Sequence, residues 1–573
     1  MPVQNKDVAD MLKKMGDLLD IKGDNPFRVR AYRNAARMIS SLPQDLSEMV
    51  EQGADLTRLS GIGKDLAVKI TEILATGKLP QLEKLEKSMR PELLELLKIN
   101  TLGPKRIKAL YRELGIADLA DLERAAREEK IREINGFGEK TEKTILKVLQ
   151  AAPGPQPLTK FIDAEQRARP LCRHLSAARG VKDIVIAGSF RRRKETVGDL
   201  DILVTCEDGT EVMSRFKGYE DVQTVLAWGK TKSSVVLRCG LQVDLRVVPE
   251  VVYGAALHYF TGSKAHNIAV RTKAVKKRLK INEYGVFRGN ERVAGRTEEE
   301  VYAAVGLPYI EPELREDQGE IQAAGKSRLP RLVTLADMKG DLHAHTNRTD
   351  GRATLEEMAS AAAALGYNYL AVTEHSKRVS VAGGLDEKEL ARQMDEIDRL
   401  NEKLSRIRLL KSIEVDILKN GDLDLPDDIL KQLDLTVCSA HYYRNLSREK
   451  QTDRIIRAMD NPCFNILAHP TGRIINERSP LELDMEKILI AAKQRNCILE
   501  INAHPDRLDL TDRYCRAAKE MGVKMAIATD AHCEEDLNLM RYGVYQARRG
   551  WLEAGDVVNT RSLEDLMCVI RRI

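Results

Sequence analysis

The chain has 573 residues, 43% of them hydrophobic, and 92 basic against 87 acidic residues leave a net charge of only +5. This length implies three or four domains, and the near balance of charge excludes a uniformly basic coat, so any polyanion must meet local patches. Nine cysteines without a C-x-x-C pair, no signal-peptide core and no apolar run near the roughly 18 residues of a membrane span predict a cytoplasmic chain with reduced thiols and no membrane partner.

Residues 1–150 read as all-helical, because apolar residues recur at helical spacing, as in Val8, Met11, Leu12, Met15, Leu18 and Leu19. Three glycine punctuations resemble one another: Gly61-Ile-Gly63, Leu102-Gly103-Pro104, and Gly136-Phe-Gly138, each followed by a basic amphipathic helix. They resemble the helix-hairpin-helix motif, in which glycines admit a DNA phosphate to the N–H groups of the next helix. The middle copy departs from the pattern, with Thr101 where the first glycine belongs. The spacing predicts a helix over 65–76 ended by Gly77, with Leu66, Ile70, Ile73 and Leu74 buried and Lys69 at the edge of that face. Desolvation there could lower the Lys69 pKa toward Schiff-base chemistry, although spacing alone favours a snorkelling lysine.

Three prolines within Ala151–Pro157 predict a stiff spacer. A helix over about 159–179 and strands near 184–187, 201–205, 235–238 and 241–248 then suggest a small mixed sheet. Within it, Gly188-Ser189 form a tight turn, Arg191 to Lys194 follow, and Asp199 and Asp201 stand two apart, on one side of a strand. A third acid, Asp244, lies in another strand-like run. Paired acids beside a phosphate-accepting turn and arginines suit Mg²⁺ with its substrate phosphates, hence two-metal nucleotidyl transfer. Past Tyr259-Phe-Thr-Gly-Ser-Lys264-Ala-His-Asn267, a helix over 268–280 carries six basic residues opposite an expected seam of Ile268, Val275 and Leu279, a face suited to a nucleic-acid backbone.

On the LATGKL tail of the first hairpin and the runs GSFRRRKETVGDLDILV, LQVDLRV and YFTGSKAHN, residues 1 to about 315 resemble the beta-like family X DNA polymerases. The resemblance implies a helical lyase-like and fingers region over 1–150, a nucleotidyltransferase palm over 158–250 and a small α/β thumb over 251–315. It implies Asp199, Asp201 and Asp244 as ligands of two Mg²⁺ ions. Gly188, Ser189, Arg192 and Gly198 would contact the triphosphate, Tyr259, Phe260, Gly262 and Lys264 the nucleotide, and Asn267 and Arg271 the minor groove. Gly61, Gly63, Gly103, Gly136, Gly138, Arg28 and Tyr32 would contact DNA, and Lys69 falls on the lyase Schiff-base position. Lys264 replaces an acid of the beta enzyme, and Arg28 a lysine of its 5′-phosphate pocket.

Residues 316–335 are expected to be a linker. Beyond it, strand-like runs end in polar residues at His343 and His345, His375, Glu414, His441, His469, Glu500, and Asp530 with His532, at intervals of one βα unit. Seven such strands describe a distorted (β/α)7 barrel over 336–573 with a metal cluster on its C-terminal face. The motifs DLHAHTNRTDG, TEHS, IEVDIL, SAHYY, LAHP and ATDAH resemble the polymerase-and-histidinol-phosphatase (PHP) family. That resemblance assigns His343, His345, Asp350, His375, Glu414, His441, His469, Asp530 and His532 to as many as three Mn²⁺ or Zn²⁺ ions. Glu374 stands where the family has Asp and is not carried over, and His504 is left as substrate-side or structural.

The resulting expectation is a multidomain α+β and α/β protein: a bacterial-type, monomeric polymerase that fills short gaps in nicked or gapped duplex DNA from deoxynucleoside triphosphates during repair, base-excision repair included. Its PHP barrel is expected to act as a 3′-5′ exonuclease, with AP endonuclease or 3′-phosphodiesterase activity and 5′-deoxyribose-phosphate lyase activity as further implications. The competing readings are a barrel acting as a small-phosphoester phosphatase, and a DNA-bridging scaffold with decayed chemistry. The presence of every acid and all nine metal positions speaks against decay.

Overall fold

The computed structural model describes residues 5–41, 46–51, 53–59, 61–87, 96, 102, 104–134, 137–150 and 158–570. The chain divides into two compact units, Met1–Pro157 and Leu158–Ile573. The expected spacer over 151–157, the glycines Gly103 and Gly136, and Thr101 lie outside the described residues.

The first unit is helical. Helix Asn5–Lys22 turns Val8, Leu12, Met15 and Leu19 inward against helix Pro26–Ser41, whose first position is the proline that a helix start tolerates. Helix Lys64–Thr76 begins at Gly63 and stops at Gly77, whose left-handed backbone (φ 69°) lets its N–H reach the Ile73 carbonyl at 2.7 Å. Ile62 and Phe137, the residues between the paired glycines, are buried in the helical core.

The second unit opens with a five-stranded mixed sheet of β1 (Asp183–Ile186), β2 (Asp199–Thr205), β3 (Val222–Ala227), β4 (Lys232–Leu237) and β5 (Gln242–Val248), in the order β1-β2-β5-β4-β3. The parallel neighbours β2 and β5 lie at its centre. Alternation sorts their side chains. Leu200, Ile202, Val204, Val243 and Leu245 pack with helix Phe161–Ser176, while Leu203 packs on the other face with helix Tyr253–Thr261. A three-stranded antiparallel sheet follows: β6 (Lys280–Asn282), β7 (Gly285–Arg288) and β8 (Glu291–Ala294). The basic helix runs over Lys264–Lys276 and buries Val270 and Ala274; the expected seam residues Ile268 and Val275 are 45% and 70% exposed. The helix starts four residues earlier than periodicity suggested, and its inward stripe is His266–Asn267, Val270 and Ala274.

The last sheet has seven parallel strands in sequential order: β9 (Gly340–Ala344), β10 (Tyr369–His375), β11 (Arg408–Asp416), β12 (Val437–Ser439), β13 (Ile466–Leu467), β14 (Ile498–Asn502) and β15 (Met525–Ala528). Hydrogen bonds from Asp530 N to His343 O (2.9 Å) and from His345 N to Ala531 O (2.8 Å) draw its two ends together, so the barrel is nearly closed. Helices Leu355–Ala364, Glu387–Asn401, Arg448–Met459, Met485–Gln494 and Asp512–Met521 join successive strands.

The expected linker over 316–335 is not a loose spacer. It holds helix Glu320–Gly325, and the Glu320 carboxylate is buried against His266 Nδ1 at 2.6 Å. Composition misled here because the polar residues are paired rather than solvated. The barrel also packs on the palm. Ile475, Leu508 and Tyr542 belong to the palm's apolar cluster, and Arg473 forms a bidentate pair with Glu195 at 2.6 and 3.0 Å.

One buried carboxylate ties palm to thumb. Glu298 receives Arg191 (2.6 and 2.9 Å) and the wholly buried Arg315 (2.5 Å). Burial alone would raise its pKa, but Arg315 and Arg191 hold it down at about 2. A depressed carboxylate stabilises the fold above its unfolded pKa of about 4.3, and that contribution, about 3 kcal/mol, is lost as pH falls toward 2. Glu298→Gln is therefore expected to lower thermal stability at pH 7 by a comparable amount and to flatten the loss between about pH 4.3 and pH 2, as read by denaturant titration across that range.

Candidate metal centres

The first centre lies where β2 and β5 run side by side. Their register sets Asp201 directly opposite Asp244, and Asp199 precedes Asp201 by two residues on the same face. Burial pushes Asp201 up to about 7, helped by repulsion from Asp199 and Asp244 and opposed by Arg246 and Arg192; burial and Asp244 also raise Asp199. Three carboxylates crowded together, two of them with their charged forms disfavoured by burial and mutual repulsion, are the setting a divalent cation fits. Gly188 has φ 61°, and a Cβ there would stand 2.5 Å from Asp201 Oδ2, so only glycine passes this close to the acids. Gly188–Arg191 form one helical turn rather than the expected tight turn, which brings Ser189 and Arg192 to the same end of the sheet.

Around these acids, Arg192 donates from Nη1 to the Thr261 carbonyl (2.6 Å) and from Nε to Glu316 (3.0 Å). Gly262 ends the helix bearing Tyr259 and Phe260, with φ 65°, and Ser263 caps the next one. The Phe260 ring lies 4.2 Å from the Arg246 guanidinium and 5.1 Å from the Tyr259 ring. Asn267 is held by the Tyr259 carbonyl at 2.7 Å, and the exposed Arg271 by the Asn267 carbonyl at 3.3 Å. Lys264 and Gly198 are exposed.

In the helical unit, Gly61 takes φ 83°, and a side chain at Gly61, Gly63 or Gly138 would meet open space. The positive φ of Gly61 by itself asks for glycine, whereas at Gly63 and Gly138 no described residue packs where a Cβ would point, which leaves room for an outside group. Lys69 is 4% exposed, ion-paired with Asp65, and 5.3 Å from the Tyr32 ring; Arg28 pairs with Asp24 at 3.3 Å. Burial opposes the Lys69 charge, but Asp65 and Tyr32 outweigh it and raise the pKa. The expected lowering is reversed, because the sequence reading weighed desolvation without the carboxylate one helical turn away.

The second centre sits at the C-terminal ends of the barrel strands and is organised around Glu414. This carboxylate is 1% exposed, with His375 Nδ1 at 2.8 Å, His469 Nε2 at 3.0 Å and His441 Nε2 at 3.2 Å. His345 Nε2 stands 3.2 Å from Asp530 and 3.2 Å from His343 Nε2. Asp350 reaches His375 at 3.3 Å and His532 at 3.5 Å. All nine expected ligands thus converge, and three groups have ligand atoms close enough to share an ion: His345, Asp350, His375 and His532; His343, His345 and Asp530; His375, Glu414 and His441.

The donor set fits metal. His345 Nδ1 is buried without a hydrogen bond, and burial pushes that ring down to about 4, keeping a neutral imidazole. Burial works against charge on His375 and His441, yet Glu414, with Asp350 and Asp416 respectively, raises them to about 10 and about 9. Protons there carry the positive charge that the carboxylates demand and that bound cations would supply.

Three supporting acids were not picked out as site residues in the sequence. Glu500 accepts His343 Nδ1 at 2.7 Å and also the His469 N–H. Asp416 lies 3.4 Å from His441 Nδ1, and Asp341 accepts the His343 N–H at 3.2 Å. Their signal was the two-residue spacing: Asp341 and Asp416 share a strand face with His343 and Glu414. Glu374 points away, bonded to Thr346, Thr349 and Gln393. His504 stays outside the cluster, accepting the Asp506 N–H at 3.3 Å.

Known families match along both halves of the chain. Residues 3–79 match a helix-hairpin-helix domain, 93–151 a SAM-like helix-hairpin-helix tandem, 164–245 the DNA polymerase beta palm, 256–316 its thumb and 341–504 the PHP domain. The chain is 40% identical over 575 aligned positions, all of both chains, to the DNA polymerase/3′-5′ exonuclease PolX of Bacillus subtilis. It is 28% identical to DNA polymerase lambda of Arabidopsis thaliana across 55% of this chain and 62% of that one. A probable phosphatase of Thermoanaerobacter is 30% identical across 38% of this chain and 89% of its own.

Since Glu500 orients the His343 imidazole from behind and accepts the backbone N–H of His469, Glu500→Gln is expected to weaken divalent-metal affinity of the barrel about 10- to 100-fold without changing the fold. Titration of apo-protein with Mn²⁺, followed by calorimetry, measures it.

Proposed function

As a member of the family X DNA polymerases that carry a C-terminal PHP domain, the chain, we propose, extends primers and digests 3′ ends at two separate divalent-metal centres. It is a DNA polymerase/3′-5′ exonuclease acting on DNA with deoxynucleoside triphosphates. The carrying observation is the pairing of Asp201 with Asp244 across parallel strands in one sheet and the convergence of nine imidazoles and carboxylates, Glu414 among them, at the strand ends of another.

In the palm, Asp199, Asp201 and Asp244 would hold two Mg²⁺ ions, which would neutralise charge on the transferred phosphoryl group. Asp244 also accepts or orients the primer 3′-hydroxyl proton. The N–H groups of Gly188 and Ser189 receive triphosphate oxygens. Arg192 joins them through Nη2, since its other nitrogens are engaged by Thr261 and Glu316. Tyr259, Phe260 and Gly262 face the sugar, with Lys264 at the nucleotide and Asn267 and Arg271 along the minor groove. Gly61, Gly63, Gly138, Arg28 and Tyr32 hold the gap-flanking backbone, and the natural substrate is nicked or gapped duplex met by a monomer in cytoplasmic repair. In the barrel, the cluster would hold as many as three Mn²⁺ ions, with Zn²⁺ the competing occupant. His345, neutral at physiological pH, and the ionised Glu414 and Asp530 present their donor atoms to that space. AP-site and 3′-phosphodiester cleavage would use the same centre. Likeness to a probable phosphatase supports a small-phosphoester reading of the barrel, but the full-length match to a polymerase/exonuclease supports a DNA 3′ end. Relative hydrolysis of a nucleotide monophosphate and a DNA 3′ end separates them.

On gapped duplex, Asp199→Ala with Asp201→Ala is expected to reduce extension by two to three orders of magnitude or more while digestion persists. His343→Ala with His345→Ala should do the reverse; joint loss in either variant overturns the two-centre reading. Lyase chemistry at Lys69 needs the neutral amine. Asp65→Asn removes a partner that raises the Lys69 pKa and is expected to increase borohydride-trapped adduct with a 5′-deoxyribose-phosphate end several-fold at pH 7. No adduct in either protein, or one that persists in Lys69→Ala, removes that role.

A further inference from the structure

Beside the barrel centre lies a group of arginines that the reaction as described does not use. Arg444 follows the SAHYY run, Arg478 sits in the loop after His469, and Arg507 lies beyond β14. They close around one turn. Gly472 N–H bonds back to the His469 carbonyl at 2.7 Å, and Gly472 has φ 57°. A Cβ there would stand 2.6 Å from Arg444 Nη1, so glycine makes room for the guanidinium. Arg444 Nη2 donates to the Ser479 carbonyl at 3.0 Å, and Arg478 Nε donates to the Gly472 carbonyl at 3.0 Å. Arg507 Nε stands 3.5 Å from Asp530 Oδ2, which joins the group to the metal cluster.

The charges of this group are not balanced. Among the described residues, neither Arg444 nor Arg478 forms an ion pair with a carboxylate. The acid whose charge acts on both is Asp509, which is fully buried and whose Oδ2 accepts the Thr471 N–H (2.9 Å) and hydroxyl (3.0 Å). Burial lowers the Arg444 pKa and Arg478 and Arg507 lower it further; burial and Arg507 do the same to Arg478. The Arg444 and Arg478 guanidinium groups, gathered at a cost with carbonyls and not carboxylates as acceptors, are poised for an outside anion. Arg478 is exposed and also lines an open cleft of about 410 Å³ between residues 473–480 and the palm residues Leu158, Glu195 and Thr196.

We propose that Arg444, Arg478 and Arg507 form a phosphate-binding rim that grips a backbone phosphodiester of the DNA strand whose 3′ end enters the metal cluster. The inference rests on the nuclease reading and deepens it. A mononucleotide has one phosphate, which the metals take, and leaves the rim empty. A polynucleotide fills both, so the rim makes the barrel select strands over small phosphoesters. Its contact is with the backbone, hence independent of sequence and dependent on salt.

The full-length protein is tested in two ways. Binding of a fluorescent single-stranded oligonucleotide is followed by anisotropy in EDTA across potassium chloride concentrations, and digestion of the same strand is followed with Mn²⁺. Arg444→Gln with Arg478→Gln should lower the slope of log affinity against log salt by about 0.7 for each charge removed. It should raise KM for digestion about tenfold with kcat within about twofold, while gap-filling extension by the palm stays intact and reports folding. Arg444→Lys with Arg478→Lys should keep the wild-type slope. Arg478→Glu, at an exposed position that tolerates substitution, should lower the slope even if the double variant fails to fold. Wild-type slope and KM in the glutamine and glutamate variants, or equal damage in the lysine pair, overturns the rim. A wild-type protein that loses salt-dependent binding on these substitutions yet never digests the strand upholds the rim and overturns the nuclease reading.

Discussion

One buried carboxylate sets the terms for the barrel. Glu414 is nearly inaccessible, and three imidazoles stand within about a hydrogen bond of it. Burial opposes its ionisation, but His441, His375 and His343 hold it well below the usual carboxylate range. An isolated charge so deep would cost far more than a fold can spare. The arrangement persists because the imidazoles beside it offset its charge, and because backbone hydrogen bonds between the parallel strands hold the strand ends that carry them. Metal binding would thus act on a preformed cage, and its affinity would couple directly to the stability of the barrel.

The palm uses the same device with a different scaffold. Parallel register, not side-chain attraction, puts Asp201 against Asp244. The apolar faces of β2 and β5 secure that register, since a slip of one residue would turn Ile202, Val204 and Leu245 out of the core. Repulsion between acids is thereby stored by hydrophobic burial a few ångströms away. In both centres the like charges are the cost, and the sheet core is what holds them together.

The barrel is also a structural partner of the palm. Arg549, 3% exposed in the barrel's helix Met540–Arg549, pairs with Asp512, reaches Glu316 at 3.2 Å, and donates to the Arg192 carbonyl at 2.7 Å. Glu316 in turn holds the Arg192 side chain. Arg192, which stands beside the palm acids, is therefore positioned through Arg549 of the barrel and through Glu316. Stacking of Phe161 on Phe190 at 4.5 Å, with the Tyr542 ring 6.0 Å from Phe161, extends that contact into the apolar core.

Much of this was legible in the residues alone, for a definite reason. Strand alternation and βα spacing are local properties, so Asp199 with Asp201, His343 with His345, and the recurrence of polar strand ends could be read without coordinates, as could the helix that Gly77 stops. What stayed hidden depends on pairings across long stretches of chain. Lys69 looked desolvated until Asp65 was seen one turn away. The stretch from Glu316 to Glu320 looked like solvent-loving spacer until its charges met Arg192, Arg549 and His266. Val222–Ala227 went unnoticed as a strand because only its neighbour Lys232–Leu237 gives it a face. By itself the sequence determined on which side of each strand the candidate acids and imidazoles stand, because that depends on chain periodicity. Only the tertiary structure decided which charges are compensated, which arginines are left without a carboxylate, and how the barrel braces the palm, because electrostatic balance is set by distance in space rather than by order along the chain.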